Sequence, residues 1–138
     1  MANYISSHSG AQIDSAITAA LAMGDYVVDT GTSGIWTFRK WNSGIAECWL
    51  AAGYMASEVP TTMTANGQLY ESNVMTIALP SGLFSATPNV TIDTQQGGGM
   101  FFKATGDTTK DSITYEMLRT NATKAAARMS VQCKGKWR

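Results

Sequence analysis

The sequence predicts a mainly β protein: an antiparallel β-sandwich of six to eight short strands, preceded by one short N-terminal α-helix. The helix is indicated by apolar residues that recur every four positions after residue 10. The strands are indicated by the alternation of apolar and polar residues that replaces this pattern from Tyr26 onward. Glycine, proline and asparagine turns separate these short runs, and no helical period returns between them, which favours a sandwich.

Length and charge limit what the chain can be. Its 138 residues suffice for one domain with its own core. We expect a lead-in with the helix over residues 1–24 and a β-sandwich binding domain over residues 25–138. Ten basic residues balance ten acidic ones, so charge gives no reason to expect nucleic acid as a partner. The N-terminus lacks a signal-peptide pattern, and no segment has the ~20 apolar residues that insertion into a membrane requires.

The predicted helix spans residues 11–23, an alanine-rich stretch that ends before Gly24. Ile13, Ile17 and Leu21 form a single apolar stripe along it. A helix of about 13 residues is marginally stable alone. We therefore expect the stripe to pack either on the domain's own core or against copies of itself in a short bundle.

The predicted strands follow from alternation between turn signals. Residues 60–73 form no such pattern and are expected to be a long loop or an irregular edge segment. The last strand is expected to turn a basic face to solvent, with a phosphate-binding tail as the alternative. The expected solvent-facing residues are Arg128, Ser130, Gln132 and Lys134, which alternate with Ala127, Met129, Val131 and Cys133. The expected strands are Ile35–Trp41, Ile45–Ala52, Val74–Leu79, Asn89–Thr94, Met100–Ala104, Ile113–Leu118 and Ala127–Cys133, with a weaker eighth over Tyr54–Val59.

Residues 34–51 predict a hairpin around Asn42-Ser43-Gly44 that carries large aromatic side chains on both faces. Exposing either face would forgo about 1.5–3 kcal/mol for each aromatic side chain left unburied. We therefore expect one face in the domain core and the other against the helix, a neighbouring subunit or a ligand, unless both belong to the core. The candidate subunit-interface residues are Ile13, Ile17, Leu21, Trp36, Phe38, Trp41 and Trp49.

No catalytic or metal-binding pattern is present. The single histidine, His8, lies in the unpatterned lead-in, and the glycine run at 97–99 lacks the lysine of a phosphate loop. Asp107 and Asp111 could offer oxygen ligands to a cation, but their spacing fits no EF-hand. We expect no enzyme activity, no cofactor and no metal.

Two cysteines, Cys48 and Cys133, lie in separate predicted strands. They would face each other if the first and last strands pair. In a reducing compartment, buried thiols are the expected state.

Loops at one end of a sandwich are a natural binding site. Polar side chains of two such loops are able to hold sugar hydroxyls or a carboxylate, and solvated turns are the alternative interpretation. The candidate ligand-binding residues are Arg119, Asn121, Lys124, Asp107 and Asp111.

Two stretches of the chain resemble segments of tail-fibre and receptor-binding proteins of bacteriophages and prophages. They are "SGAQIDSAITAAL" from Ser9 and "GIWTFRKWNSGIAECW" from Gly34. The later "LPSGLFSATPNVTI" and "VQCKGKW" are similar to strands of the same fibre-tip domains. Such domains resemble a small trimeric β-sandwich related in shape to H-type lectins. The matching positions are Gly10, Ile13, Asp14 and Ala16, then Trp36, Arg39, Lys40, Trp41, Gly44, Glu47, Cys48 and Trp49.

The resemblance implies a homotrimeric, non-enzymatic adhesin at a virion tail, assembled in the bacterial host cytoplasm. Its expected partners are copies of itself, other phage tail proteins and a carbohydrate of the bacterial surface. The alternative is a purely structural virion protein, an assembly or decoration piece that binds no glycan.

Overall fold

A computed structural model describes residues 7–22, 24–50, 55–58, 62–63, 67–96, 100–122 and 125–138. These residues form one α-helix and eleven strands in two antiparallel sheets, so the predicted mainly β fold class is confirmed. The elements are α1 Gly10–Ala22, β1 Val27–Ser33, β2 Trp36–Trp41, β3 Ile45–Leu50, β4 Met55–Glu58, β5 Thr62–Met63, β6 Tyr70–Glu71, β7 Met75–Ala78, β8 Asn89–Gln96, β9 Met100–Ala104, β10 Ser112–Arg119 and β11 Ala125–Lys136.

The prediction of six to eight strands was too low for the described part of the chain. β1 was missed because its sequence, "VVDTGTS", has mostly polar residues and no clear alternation. Within the described part of the chain it is an edge strand that pairs with β2 alone, and five of its seven residues are exposed. β5 and β6 are two-residue strands inside residues 60–73, which were expected to be a long loop or an irregular edge segment. β5 lies at the edge of its sheet, in agreement with the second alternative. Strands this short leave no readable period in a sequence.

The first sheet is organised around β11. β1, β2 and β3 form a meander, and β3 pairs with β11. β8 pairs with β11 at positions that overlap both the β3 pairing and the β4 pairing. β3 and β4 therefore lie one after the other along the opposite edge of β11. Odd-numbered residues of β11 from Ala127 to Cys133 are buried, whereas Arg128 and Lys134 are exposed. The predicted basic solvent face of this strand is confirmed.

The second sheet is organised around β10. β7 and β6 pair in succession with one edge of β10, and β9 pairs with the other edge. β5 extends the sheet beyond β6. The inner faces of the two sheets share one hydrophobic core, in which Ile113 and Met117 of β10 and Met129 and Val131 of β11 are fully buried. The molecule is therefore a sandwich of two sheets around one core.

The helix α1 contributes nothing to this core. None of its residues is buried, and Leu21 is 76% exposed. At its N-terminus, Ser9 and Gln12 exchange hydrogen bonds in a reciprocal cap. Of the two packing partners expected for the apolar stripe, the domain's own core is thus excluded.

Candidate functional site

The β2–β3 hairpin is held firmly at its turn. The predicted turn is present, with the Gly44 N–H donating to the carbonyl of Trp41 at 3.0 Å and Gly44 at a φ of 87°. Asp25 accepts hydrogen bonds from the backbone N–H and the hydroxyl of Ser43 at 2.8 and 2.6 Å. The indole N–H of Trp137 donates to the carbonyl of Trp41 at 3.0 Å. The end of β11 is thereby tied to the hairpin turn.

The inner side of the hairpin belongs to the core. Trp36 is 3% exposed, and its indole N–H donates to the carbonyl of Ala78 in the second sheet at 2.7 Å. Phe38 packs against the same core. Both side chains pack against the core of their own chain, and burial leaves Trp36 no surface that a partner could contact. Its assignment to a subunit interface is corrected on this ground.

The outer side of the hairpin carries an arginine between two indoles. The guanidinium carbon of Arg39 lies 4.8 Å from the ring centroid of Trp49 and 5.7 Å from that of Trp41. Its Nε lies 2.9 Å from Oε1 of Glu47, which also accepts the indole N–H of Trp41 at 3.2 Å. Each such cation–π contact stabilises by about 0.5–1 kcal/mol at an exposed site. The outward tryptophans are thus partly covered by the chain itself.

Strand register extends this arrangement into a surface of four strands, which we call the outer face. Arg39 is opposite Glu47, and Trp49 is opposite Thr37. Across β11 and β8, one row continues from Glu47 and the other from Trp49. The first row is Arg39, Glu47, Lys134 and Asn89, and the second is Thr37, Trp49, Gln132 and Thr91.

A shallow depression of about 500 Å³ lies on the outer face, within the range of small-molecule sites. A smaller depression of about 250 Å³ adjoins it, because Glu47 and Lys134 line both. The larger one combines an indole, two amides, a hydroxyl, two cations and a carboxylate. Its lining residues are Arg39, Glu47, Cys48, Trp49, Asn89, Thr91, Gln132, Cys133 and Lys134.

The charges of the outer face are unevenly compensated. Glu47 is engaged by Arg39, whereas Lys134, its neighbour across the strands, enters none of the ion pairs found in the described part of the chain. The depression therefore has a net positive character, with two cations and one carboxylate. Chemically it can stack one ring, exchange hydrogen bonds with hydroxyl groups and attract a negative substituent.

The four described loop residues among those predicted as ligand-binding do not come together. Asp107 and Asp111 precede β10, and Arg119 and Asn121 lie at or beyond its other end. Eight residues of extended strand separate these ends by roughly 23 Å. The idea of one loop site is corrected accordingly, and Lys124 lies outside the described residues.

The loop before β10 has the character of a solvated turn. Thr109 closes it by accepting hydrogen bonds through its hydroxyl from the N–H groups of Asp111 and Ser112, both at 3.2 Å. The carboxylate of Asp111 pairs with the adjacent Lys110 at 3.0 Å, and both side chains are more than half exposed. The polar groups of Thr109, Lys110 and Asp111 thus bond to one another within the loop.

Sequence reasoning missed several residues of the outer face. Asn89 and Thr91 alternate with the half-buried Val90 and Ile92 in a predicted strand, which marks them as outward-facing. Gln132 and Lys134 were predicted to face solvent, but their neighbours depend on the pairing of β11 with β3 and β8. The exposed apolar residues Tyr26, Val27 and Val28 beside the hairpin were also missed.

Among the residues that the structure describes, no helix has the length and hydropathy needed to cross a membrane. No group of three or more histidine, cysteine, aspartate or glutamate side chains is placed to hold a metal ion in that same part of the chain.

Comparisons of the chain with protein-family models, with curated proteins and with solved structures found no match.

Proposed function

We propose that this chain is a non-enzymatic adhesin that attaches to a carbohydrate of a bacterial surface through the outer face. In this proposal it forms the tip of a bacteriophage or prophage tail fibre, carried by other tail proteins. The resemblance of the helix segment and the aromatic hairpin to fibre-tip proteins gives the biological setting. The outer face supplies the means of attachment.

The depression beside Trp49 is the observation that supports this proposal most. An indole packs against the C–H side of a sugar ring, and amide and hydroxyl groups exchange hydrogen bonds with its OH groups. Trp49, Gln132 and Thr91 lie in one cross-strand row, so these groups are side by side on paired strands. Strands hold a binding constellation more accurately than loops do.

The helix supports the proposal that the adhesin is a homotrimer. The stripe of Ile13, Ile17 and Leu21 is 40–76% exposed, and a 13-residue helix is marginal without a partner. Packing against the same helix of two other copies would bury the stripe. The three weak sites of one trimer would then attach through avidity rather than through single-site affinity.

A panel of immobilised bacterial surface polysaccharides tests the binding proposal. The full chain is expected to bind at least one of them, and Trp49→Ala and Gln132→Ala are each expected to weaken that binding at least ~10-fold. Phe101→Ala is the matched control, because Phe101 is an aromatic residue, 55% exposed, on the other sheet. Thermal unfolding of each variant confirms that the fold is kept. Equal weakening by Trp49→Ala and Phe101→Ala would remove the outer face as the site.

Light scattering tests the trimer. The expected mass is about 44 kDa, three times the 14.7 kDa of one chain. Ile17→Asp is expected to dissociate it, because a carboxylate would have to be buried in the bundle. A mass near 14.7 kDa for the unaltered chain would contradict the trimer.

A structural virion protein without glycan binding is the second candidate. It is favoured by the Arg39 stack, because the two outward indoles already have partners within the chain. A trimer that binds none of the polysaccharides would support this candidate.

A further inference from the structure

Cys48 and Cys133 lie directly opposite each other on β3 and β11. Both face inward, with 1% and 2% of their surface exposed, and both are free thiols. Directly opposed residues of antiparallel strands have Cα atoms about 4.5 or 5.5 Å apart, depending on the pair type. Both spacings fall within the range of about 4.4–6.8 Å that a disulfide requires.

The two thiols also interact with each other. The pKa of the Cys48 thiol is raised far above its usual range. The main cause is a hydrogen bond with Cys133, and the second is burial. The Cys48 thiolate is therefore scarce in the folded chain at neutral pH. A soluble oxidant meets these groups only when β3 and β11 separate locally, since almost none of their surface is open to solvent.

We infer that Cys48 and Cys133 are an oxidative modification site, at which one intrachain disulfide joins β3 to β11 when the chain meets a low-molecular-weight disulfide. The thiolate of one cysteine attacks the oxidant's disulfide, forms a mixed disulfide and releases one small thiol. The thiolate of the other cysteine then attacks the protein sulfur of that mixed disulfide and releases the second small thiol. The protein loses two protons and two electrons, and the oxidant is reduced to two thiols.

The cross-link would act on the two strands at the centre of the outer face. Trp49 and Gln132 are the adjacent opposed pair, one residue along from the cysteines. A bond at Cys48–Cys133 would fix their register and close a loop of about 85 residues, which restricts the unfolded chain strongly. This chemistry is independent of what the outer face binds.

The test is to incubate the full chain with oxidised glutathione near pH 8, once folded and once during refolding from urea. Alkylation in denaturant and mass spectrometry then count the remaining thiols. We expect a monomer about 2 Da lighter with no alkylated cysteine, formed faster during refolding than in the folded chain. Because the chain contains only two cysteines, that product identifies the pair. Its melting temperature should rise by on the order of 10 °C.

Cys48→Ala and Cys133→Ala serve as controls, since each leaves a single thiol that can form a glutathione adduct but no intrachain bond. Neither variant should gain melting temperature on oxidation. Stable glutathione adducts on both cysteines, covalent dimers alone, or two unmodified thiols after refolding with the oxidant would each overturn the inference. So would an intrachain disulfide that lowers the melting temperature, because the native strand spacing would then not accommodate it.

Discussion

The inner side of the β2–β3 hairpin buries Trp36 almost completely, whereas the outer side leaves Trp41 and Trp49 half-buried around Arg39. On the inner side, apolar area is removed from water by the second sheet. On the outer side, water is displaced by a guanidinium whose charge is balanced by Glu47. One hairpin thus stabilises aromatic residues in two ways, and only the outer arrangement can be opened by a ligand without exposing the core.

The largest expected effect comes from the inner side. Trp36→Ala should destabilise the fold by about 3–5 kcal/mol, because it leaves a cavity and deprives the Ala78 carbonyl of its donor. Trp49→Ala, on the other side, should cost about 1 kcal/mol or less. Urea unfolding of both variants measures the difference. Equal losses would mean that the two sides are stabilised alike.

Gly44→Ala should have the next largest effect, because it alters the turn that both sides share. Gly44 has a φ of 87°, and an added Cβ would lie 3.2 Å from Cγ of Arg138. A loss of about 1–2 kcal/mol is expected in urea unfolding. Gly82→Ala is the matched control, since Gly82 has a φ of 67° but open space around it. A loss no greater than that of the control would show that only the backbone conformation matters.

A smaller effect should separate stacking from charge on the outer side. Arg39→Ala, Trp49→Ala and the double variant form a cycle whose coupling free energy should be about 0.5–1 kcal/mol. Arg39→Lys should retain only part of this coupling, because lysine lacks the planar guanidinium that lies against the indole. Chemical unfolding gives all the values. A coupling near zero would show that the stack contributes nothing to stability.

The smallest expected effect lies on the second sheet and depends on pH. Lys103 is 2.5 Å from Glu116 and 3.6 Å from Glu71. The hydrogen bond to Glu116 is the main cause that raises the pKa of Lys103. Because this pKa is higher in the folded chain, the ion pair contributes its full stabilisation when the pH is below the pKa of the unfolded state. That stabilisation is lost as the pH rises through the pKa of the folded state. The stability difference between the unaltered chain and Lys103→Gln should therefore shrink in the alkaline range. A difference that stays constant there would contradict it.

Local patterns were sufficient for much of the fold. The alternation in β11 correctly separated Met129 and Val131 from Arg128 and Lys134, and Asn42-Ser43-Gly44 correctly located the hairpin turn. β1 could not be found this way, because an exposed edge strand has no buried face to impose a period.

The outer face could not be predicted, because its rows join residues that are far apart in sequence. Glu47 and Lys134 become neighbours only through the pairing of β3 with β11, which no local pattern fixes. The separation of Asp111 from Arg119 could have been predicted from the sequence, since a predicted strand lay between them. A straight strand places its two flanking loops at opposite ends.

The central position of β11 has a consequence for synthesis. Its partners β3, β4 and β8 all precede it, and Cys48 pairs with a residue about 85 positions later. While the ribosome is still making the chain, β3 and β8 have no common neighbour, and their edges stay open to other nascent chains. Contacts of such long range make folding slow, in the range of milliseconds to seconds. The β1–β3 meander needs no later strand, but β3, β4 and β8 can be joined into one sheet only after translation has passed residue 136 and β11 has left the ribosome.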